Sequence, residues 1–179
     1  MKKLLIGVAL AISLVSTAAH AGLNGDTVNV KYYFPDSSSM YRDSGTQVVG
    51  GSGAVFNFMG VFSLNVSDTQ IKAYDFAFGS YWSSSPFNGF VVTNLTNSFS
   101  GGYTVDPSTT MSGLTNPNVT LMSPNSVGVN WNGLSFNEKT VVTLNAVSAV
   151  PEPETYALML AGLGLVGTIA RRRKQALAA

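Results

Sequence analysis

Thr27-Val28-Asn29-Val30-Lys31-Tyr32-Tyr33-Phe34 alternates between apolar and polar for most of its length. Val28, Val30, Tyr32 and Phe34 fall on one face of an extended chain, and Thr27, Asn29, Lys31 and Tyr33 on the other. Successive side chains of a strand point to opposite faces, so these residues read as a strand with one face buried and the other in water. Pro35-Asp36-Ser37 ends it.

Outward from this strand the same signal recurs. Residues 47–51 read as a short strand ahead of the flexible Gly50-Gly51-Ser52-Gly53. Residues 61–66 place Phe62, Leu64 and Val66 on one face; Ser67-Asp68 reads as a turn, and residues 70–78 resume with Tyr74, Phe76 and Phe78 aligned. Together they predict a hairpin in a sheet with one buried face. Residues 87–95 read as another strand, opened by Asn88-Gly89, with a weak one at 103–105 and a short one at 119–122. Val127, Val129 and Trp131 alternate, Asn132-Gly133 suits a tight turn, and Leu134 with Phe136 is expected to return. Residues 140–147 form the last expected strand. Eight or so short strands without a helical period predict an all-β antiparallel β-sandwich, with a jelly roll among its forms and a barrel as the alternative.

Composition excludes several chemistries. Cysteine is absent, and the single histidine is His20, in a segment expected to be removed. The mature chain then has no Ser-His-Asp or Cys-His nucleophile and no zinc site of the usual ligands. Six of the ten Lys and Arg lie at the two ends. The stretch 22–150 keeps Lys31, Arg42, Lys72 and Lys139 against seven acids, a net charge of −3. There is no basic stripe, which argues against nucleic acid as a partner.

The ends carry addressing signals. Residues 1–21 have Lys2 and Lys3, an apolar run, and small residues at Ala19 and Ala21, which predicts a secretory signal peptide cut after Ala21 by signal peptidase. The body of the protein is expected over 22–148. At the other end, Val150-Pro151-Glu152-Pro153 is extended, because each proline disfavours helix in the residue before it. Residues 155–170 contain no ionisable side chain after Tyr156 and are expected to form a helix roughly 23 Å long, somewhat short of a bilayer core. Arg171, Arg172, Arg173 and Lys174 then stop transfer on the cytoplasmic side, leaving 175–179 as a cytoplasmic tail.

This C-terminal stretch resembles the PEP-CTERM sorting signal of Gram-negative bacteria. The matching residues are Val150-Pro151-Glu152-Pro153, Tyr156-Ala157-Leu158, Gly162-Leu163-Gly164 and Ala170-Arg171-Arg172-Arg173. The resemblance spans residues 149–174. It implies processing by an exosortase, a membrane cysteine transpeptidase that removes the helix, and export in a bacterium that makes extracellular polysaccharide. Tyr33-Phe34-Pro35-Asp36, Phe87-Asn88-Gly89-Phe90 and the run from Val129 to Phe136 resemble segments of cargo domains that precede such tails. That resemblance implies no particular activity for any residue here.

Candidate sites in the body are few. Tyr81-Trp82 precedes a loop of small residues, Ser83-Ser84-Ser85-Pro86, and two aromatics beside such a loop can stack on sugar rings. The competing reading has Trp82 closing one end of the core. Asp75 is a candidate catalytic or sugar-binding carboxylate, against a plain solvated strand residue. Asp26, Asp36 and Asp43 offer oxygen atoms to calcium, yet no loop has the alternating ligand pattern, so no metal or other cofactor is expected. The expectation is a non-enzymatic, exported protein: an inner-membrane-anchored precursor with a periplasmic domain, then a surface or matrix protein. Its role would be structural or adhesive within exopolysaccharide or biofilm. A surface carbohydrate-binding module is the alternative, and a two-carboxylate glycoside hydrolase is the least favoured.

Overall fold

The computed structural model describes residues 22–99, 101–147 and 159–167. The expected signal peptide with Ala19 and Ala21, the Val150, Pro151, Glu152, Pro153 motif, and the cluster of Arg171, Arg172, Arg173 and Lys174 lie outside the described residues.

The strands in chain order are β1 (Thr27–Tyr33), β2 (Met40–Val48), β3 (Ala54–Phe58), β4 (Phe62–Val66), β5 (Gln70–Tyr74), β6 (Ser80–Tyr81), β7 (Gly89–Asn94), β8 (Tyr103–Val105), β9 (Val119–Ser123), β10 (Ser126–Asn130), β11 (Ser135–Phe136) and β12 (Val142–Ala146). They form two five-stranded antiparallel sheets, ordered β2-β1-β7-β10-β9 and β3-β4-β5-β12-β8, and a small ribbon of β6 and β11. The all-β expectation therefore holds at the level of two antiparallel sheets.

The sheets share one apolar core. Val28, Val30, Phe90, Val92, Val127 and Val129 from the first sheet, and Phe56, Leu64, Val66, Ile71 and Leu144 from the second, are all buried in it. Burying a side chain of this kind contributes roughly 1.5–3 kcal/mol before the entropy of ordering it is subtracted. At one end aromatic rings join the sheets. Phe62 of β4 stands edge-on to Trp131 at 5.2 Å, and Tyr32 of β1 lies 6.0 Å from Phe58 of β3.

Several sequence expectations change. The short strand expected at 47–51 is the end of a nine-residue edge strand, β2, in which no residue is fully buried. With no core face, it has no alternation to read. β3, where buried and exposed residues alternate, was not foreseen. The strand expected over 70–78 stops at Tyr74, because Asp75 takes φ 54° and turns the chain. Ile71 and Ala73 therefore face inward, Tyr74 shares the outer face with Lys72, and Phe76 re-enters the core after the kink. Phe78 is 48 % exposed, so Tyr74, Phe76 and Phe78 do not form one buried face. The return expected after Asn132-Gly133 does not pair with β10. β11 pairs with β6 instead, with Ser135 opposite Tyr81.

Residues 159–167 are helical and exposed throughout, with Leu160 and Val166 each 65 % accessible. They are the described part of the helix expected over 155–170. Among the described residues no helix is long and apolar enough to cross a membrane.

Candidate binding site

Where the two sheets meet at their aromatic end, a pocket of about 300 Å³ opens. Its floor is apolar and comes from both sheets: Tyr32, Phe58, Phe62 and Trp82. Its rim carries Tyr41, Arg42, Met59, Tyr81 and Ser83.

Three of the rim residues, Tyr41, Arg42 and Met59, are placed by local departures from regular strand. β1 and β2 pair with Tyr32 opposite Arg42 but Tyr33 opposite Met40, so Tyr41 is an extra residue on β2. Such a bulge turns side chains that a regular strand would alternate, and so re-aims them. Both Tyr41 and Arg42 line the pocket, and the Tyr41 ring stands edge-on to Tyr32 at 6.4 Å. Met59 sits at the tip of the β3–β4 hairpin with φ 54°, followed by Gly60 at 72°. Two successive left-handed residues match the right-handed twist of the strands they join. The turn closes with Val61 N–H donating to the Phe58 carbonyl at 2.8 Å and Gly60 N–H donating to Asn57 Oδ1 at 2.9 Å. Left-handed backbone is strained for a methionine, so the tip holds Met59 at the rim against its own preference.

Tyr81 is 71 % exposed and hangs from the β6–β11 ribbon. Trp82 is only half-buried but is packed as core. Its indole stacks on Trp131 at 4.9 Å with 5° between planes, and on Phe136 at 4.6 Å. Its Nε1 is sealed from solvent and has no hydrogen-bond partner among the described residues. Of the two sequence-proposed aromatics, Tyr81 presents a free ring and Trp82 forms the floor.

From the floor inward runs a buried polar chain, of which Tyr32 and Asn88 line the pocket. Trp131 Nε1 donates to the Tyr32 hydroxyl at 2.9 Å, and that hydroxyl donates to Asn88 Oδ1 at 2.6 Å. Asn88 Nδ2 donates to the Ser83 carbonyl at 2.9 Å, and Asn130 Nδ2 to that of Pro86 at 3.1 Å. These bonds pin the loop between Trp82 and Asn88 to the sheet. Burial pushes the Tyr32 phenol well above the ordinary tyrosine value, with the Trp131 bond opposing it, so Tyr32 is a neutral structural group.

The carboxylates singled out in the sequence lie elsewhere. None of the residues lining the pocket is acidic. Asp75 is exposed at the end of β5. Asp26 is buried and accepts from Asn94 Nδ2 at 2.6 Å and Asn97 Nδ2 at 2.7 Å. Asp36 accepts from the hydroxyls and N–H groups of Ser38 and Ser39, and these bonds, the Ser38 hydroxyl's first, hold its pKa below the usual carboxylate value. Asp43 is held low first by Gly45 N–H, then by Asn29 and by the nearby Lys31 charge. The three are not brought together, and among the described residues no group of three or more acidic side chains converges.

Sequence reasoning found Tyr81 and Trp82 but missed Tyr41, Arg42, Met59 and Asn88. The signal available for Met59 was Gly60 standing between two apolar alternating runs, a turn cue. Nothing in the residues of β2 announces its bulge.

Residues 149–174 match the family model described as the PEP-CTERM protein-sorting motif. No curated protein and no solved structure matches the chain. The motif marks an exported protein that passes through the membrane and is sorted by exosortase.

Proposed function

We propose that the chain is an exported precursor, held at the inner membrane by its C-terminal segment, whose β domain is released or transferred to the cell surface or extracellular matrix. There it acts as a structural or adhesive component. The observation that carries this reading is the sorting motif at residues 149–174. The exposure of helix 159–167 is consistent with it, since an apolar helix that served the core would be covered. Within this reading, residues 22–148 are a β-sandwich, Val150, Pro151, Glu152 and Pro153 are the processing motif, and Arg171, Arg172, Arg173 and Lys174 hold the tail in the cytoplasm.

The test compares cell fractions and intact mass in the host with and without its exosortase. We expect a shortened, extracytoplasmic protein in the first and a full-length membrane form in the second. A persistent full-length membrane form in both leaves a plain anchor and sinks the sorting mechanism.

A second reading, a surface carbohydrate-binding module, is favoured by one observation: Tyr41 and Tyr81 present aromatic rings around an open pocket with an aromatic floor. Aromatic faces meeting the apolar faces of sugar rings are a common mode of glycan binding. A two-carboxylate hydrolase draws no support from this pocket, whose lining contains no acid.

A further inference from the structure

We propose that this pocket takes an acidic saccharide residue, its carboxylate on the Arg42 guanidinium and its ring face against Tyr81 and Tyr41. This rests on the carbohydrate-binding reading and narrows it to one charge class.

Arg42 is the one charged residue in the pocket lining. It is also unspent. The ion pair found among the described residues is Lys31 with Asp43, at 3.8 Å. The register explains why Asp43 does not neutralise its neighbour. Arg42 lies opposite Tyr32, whose side chain is buried in the core, whereas Asp43 lies opposite Lys31 on the other face of the sheet. Directly opposed residues of an antiparallel pair share a face, so Asp43 and Lys31 are outside and Arg42 is over the pocket. The bulge at Tyr41 then places a tyrosine beside the guanidinium.

The chemistry of the rim is specific. A guanidinium matches a carboxylate in a planar, two-pronged hydrogen bond, which gives geometric specificity as well as charge. The Tyr41, Tyr81 and Ser83 hydroxyls make no hydrogen bond within the described protein, so all three are open to sugar hydroxyls. The volume of about 300 Å³ is at the lower end of small-molecule sites, room for a ring-sized group. General charge attraction would not produce the same selectivity, because residues 22–150 carry a net −3 and repel a polyanion at long range.

The experiment titrates the full chain, purified in a mild uncharged detergent, with four probes: a galacturonate tetramer, its fully methyl-esterified form, a mannuronate tetramer, and 4-hydroxyphenylacetate. We expect at least one acidic tetramer to bind. Esterification, or Arg42→Gln, should weaken binding roughly ten- to hundred-fold, the range for losing one hydrogen bond to a charged group. Arg42→Lys should retain part of the affinity. Lys72→Gln, on the outer face of β5, should leave it unchanged, and matching melting curves will show that Arg42→Gln is folded. Equal binding of acid and ester, undisturbed by Arg42→Gln, overturns the acidic assignment while the carbohydrate reading stands. Failure of every saccharide to bind removes both. Tighter binding of 4-hydroxyphenylacetate than of either acidic tetramer shows that the pocket is built for an aromatic acid and overturns the saccharide.

Discussion

Tyr32 holds together groups that burial would otherwise strand. Its ring packs between both sheets, and its hydroxyl accepts from Trp131 Nε1 and donates to Asn88 Oδ1. An unpaired buried donor or acceptor costs more than the net worth of the bond it has lost, because its desolvation is no longer offset. Tyr32→Phe keeps the ring and strands both neighbours. We expect it to destabilise the protein by about 1–3 kcal/mol, read as a lower urea midpoint at unchanged m. An unchanged midpoint would mean that water reaches both groups and that the chain beneath the pocket is not sealed. Met59 and Asp75 illustrate a different cost at this scale: both occupy left-handed backbone, and both sit where the chain changes direction.

At the scale of elements, β7 and β10 approach closely at Gly89. Gly89 lies opposite Asn130, and a Cβ there would come within 1.8 Å of the Val129 carbonyl oxygen. Backbone cannot yield as a flexible side chain can, so Gly89→Ala must push the strands apart. We expect roughly 1–3 kcal/mol of lost stability and faster amide exchange along β10 than along β4. Equal protection in both strands would count against it. The sequence places Gly89 at the opening of its strand, where it lies, but its near approach to a neighbour is not legible there. Several strands with a core-facing side were legible, since β1, β4 and β10 carry their apolar alternation openly, but β3 alternates as clearly between Ala54 and Phe58 and escaped behind the glycine run that precedes it. β2 was not, because an edge strand without a core face leaves no periodic trace. The ends of β5 and β11 also escaped, one by a kink at Asp75 and the other by a choice of partner that local sequence does not encode. The candidate site shows the same division. Its aromatic pair, Tyr81 and Trp82, stands out in the chain, while Arg42 and Met59 reach it through a bulge and a left-handed turn.

At the scale of the whole molecule, the core described closes on itself between Leu23 and Leu144, with Ala146 packed at its edge. Nothing in it comes from helix 159–167. Removing the segment after Val147 should therefore leave the melting temperature within about 2 °C of the full chain in the same detergent, less than a change of 1 kcal/mol would produce in a domain this size. A drop of several degrees would show that the body leans on its tail, and release by a sorting enzyme would then cost it stability. The two tryptophans of the chain are Trp82 and Trp131, and they lie face to face under the pocket. Every photon the protein absorbs through indole is therefore absorbed at the floor of the candidate site or just beneath it. A pair so close and parallel couples its electronic transitions. Its near-ultraviolet dichroism and emission form an intrinsic, label-free gauge of whatever settles above it.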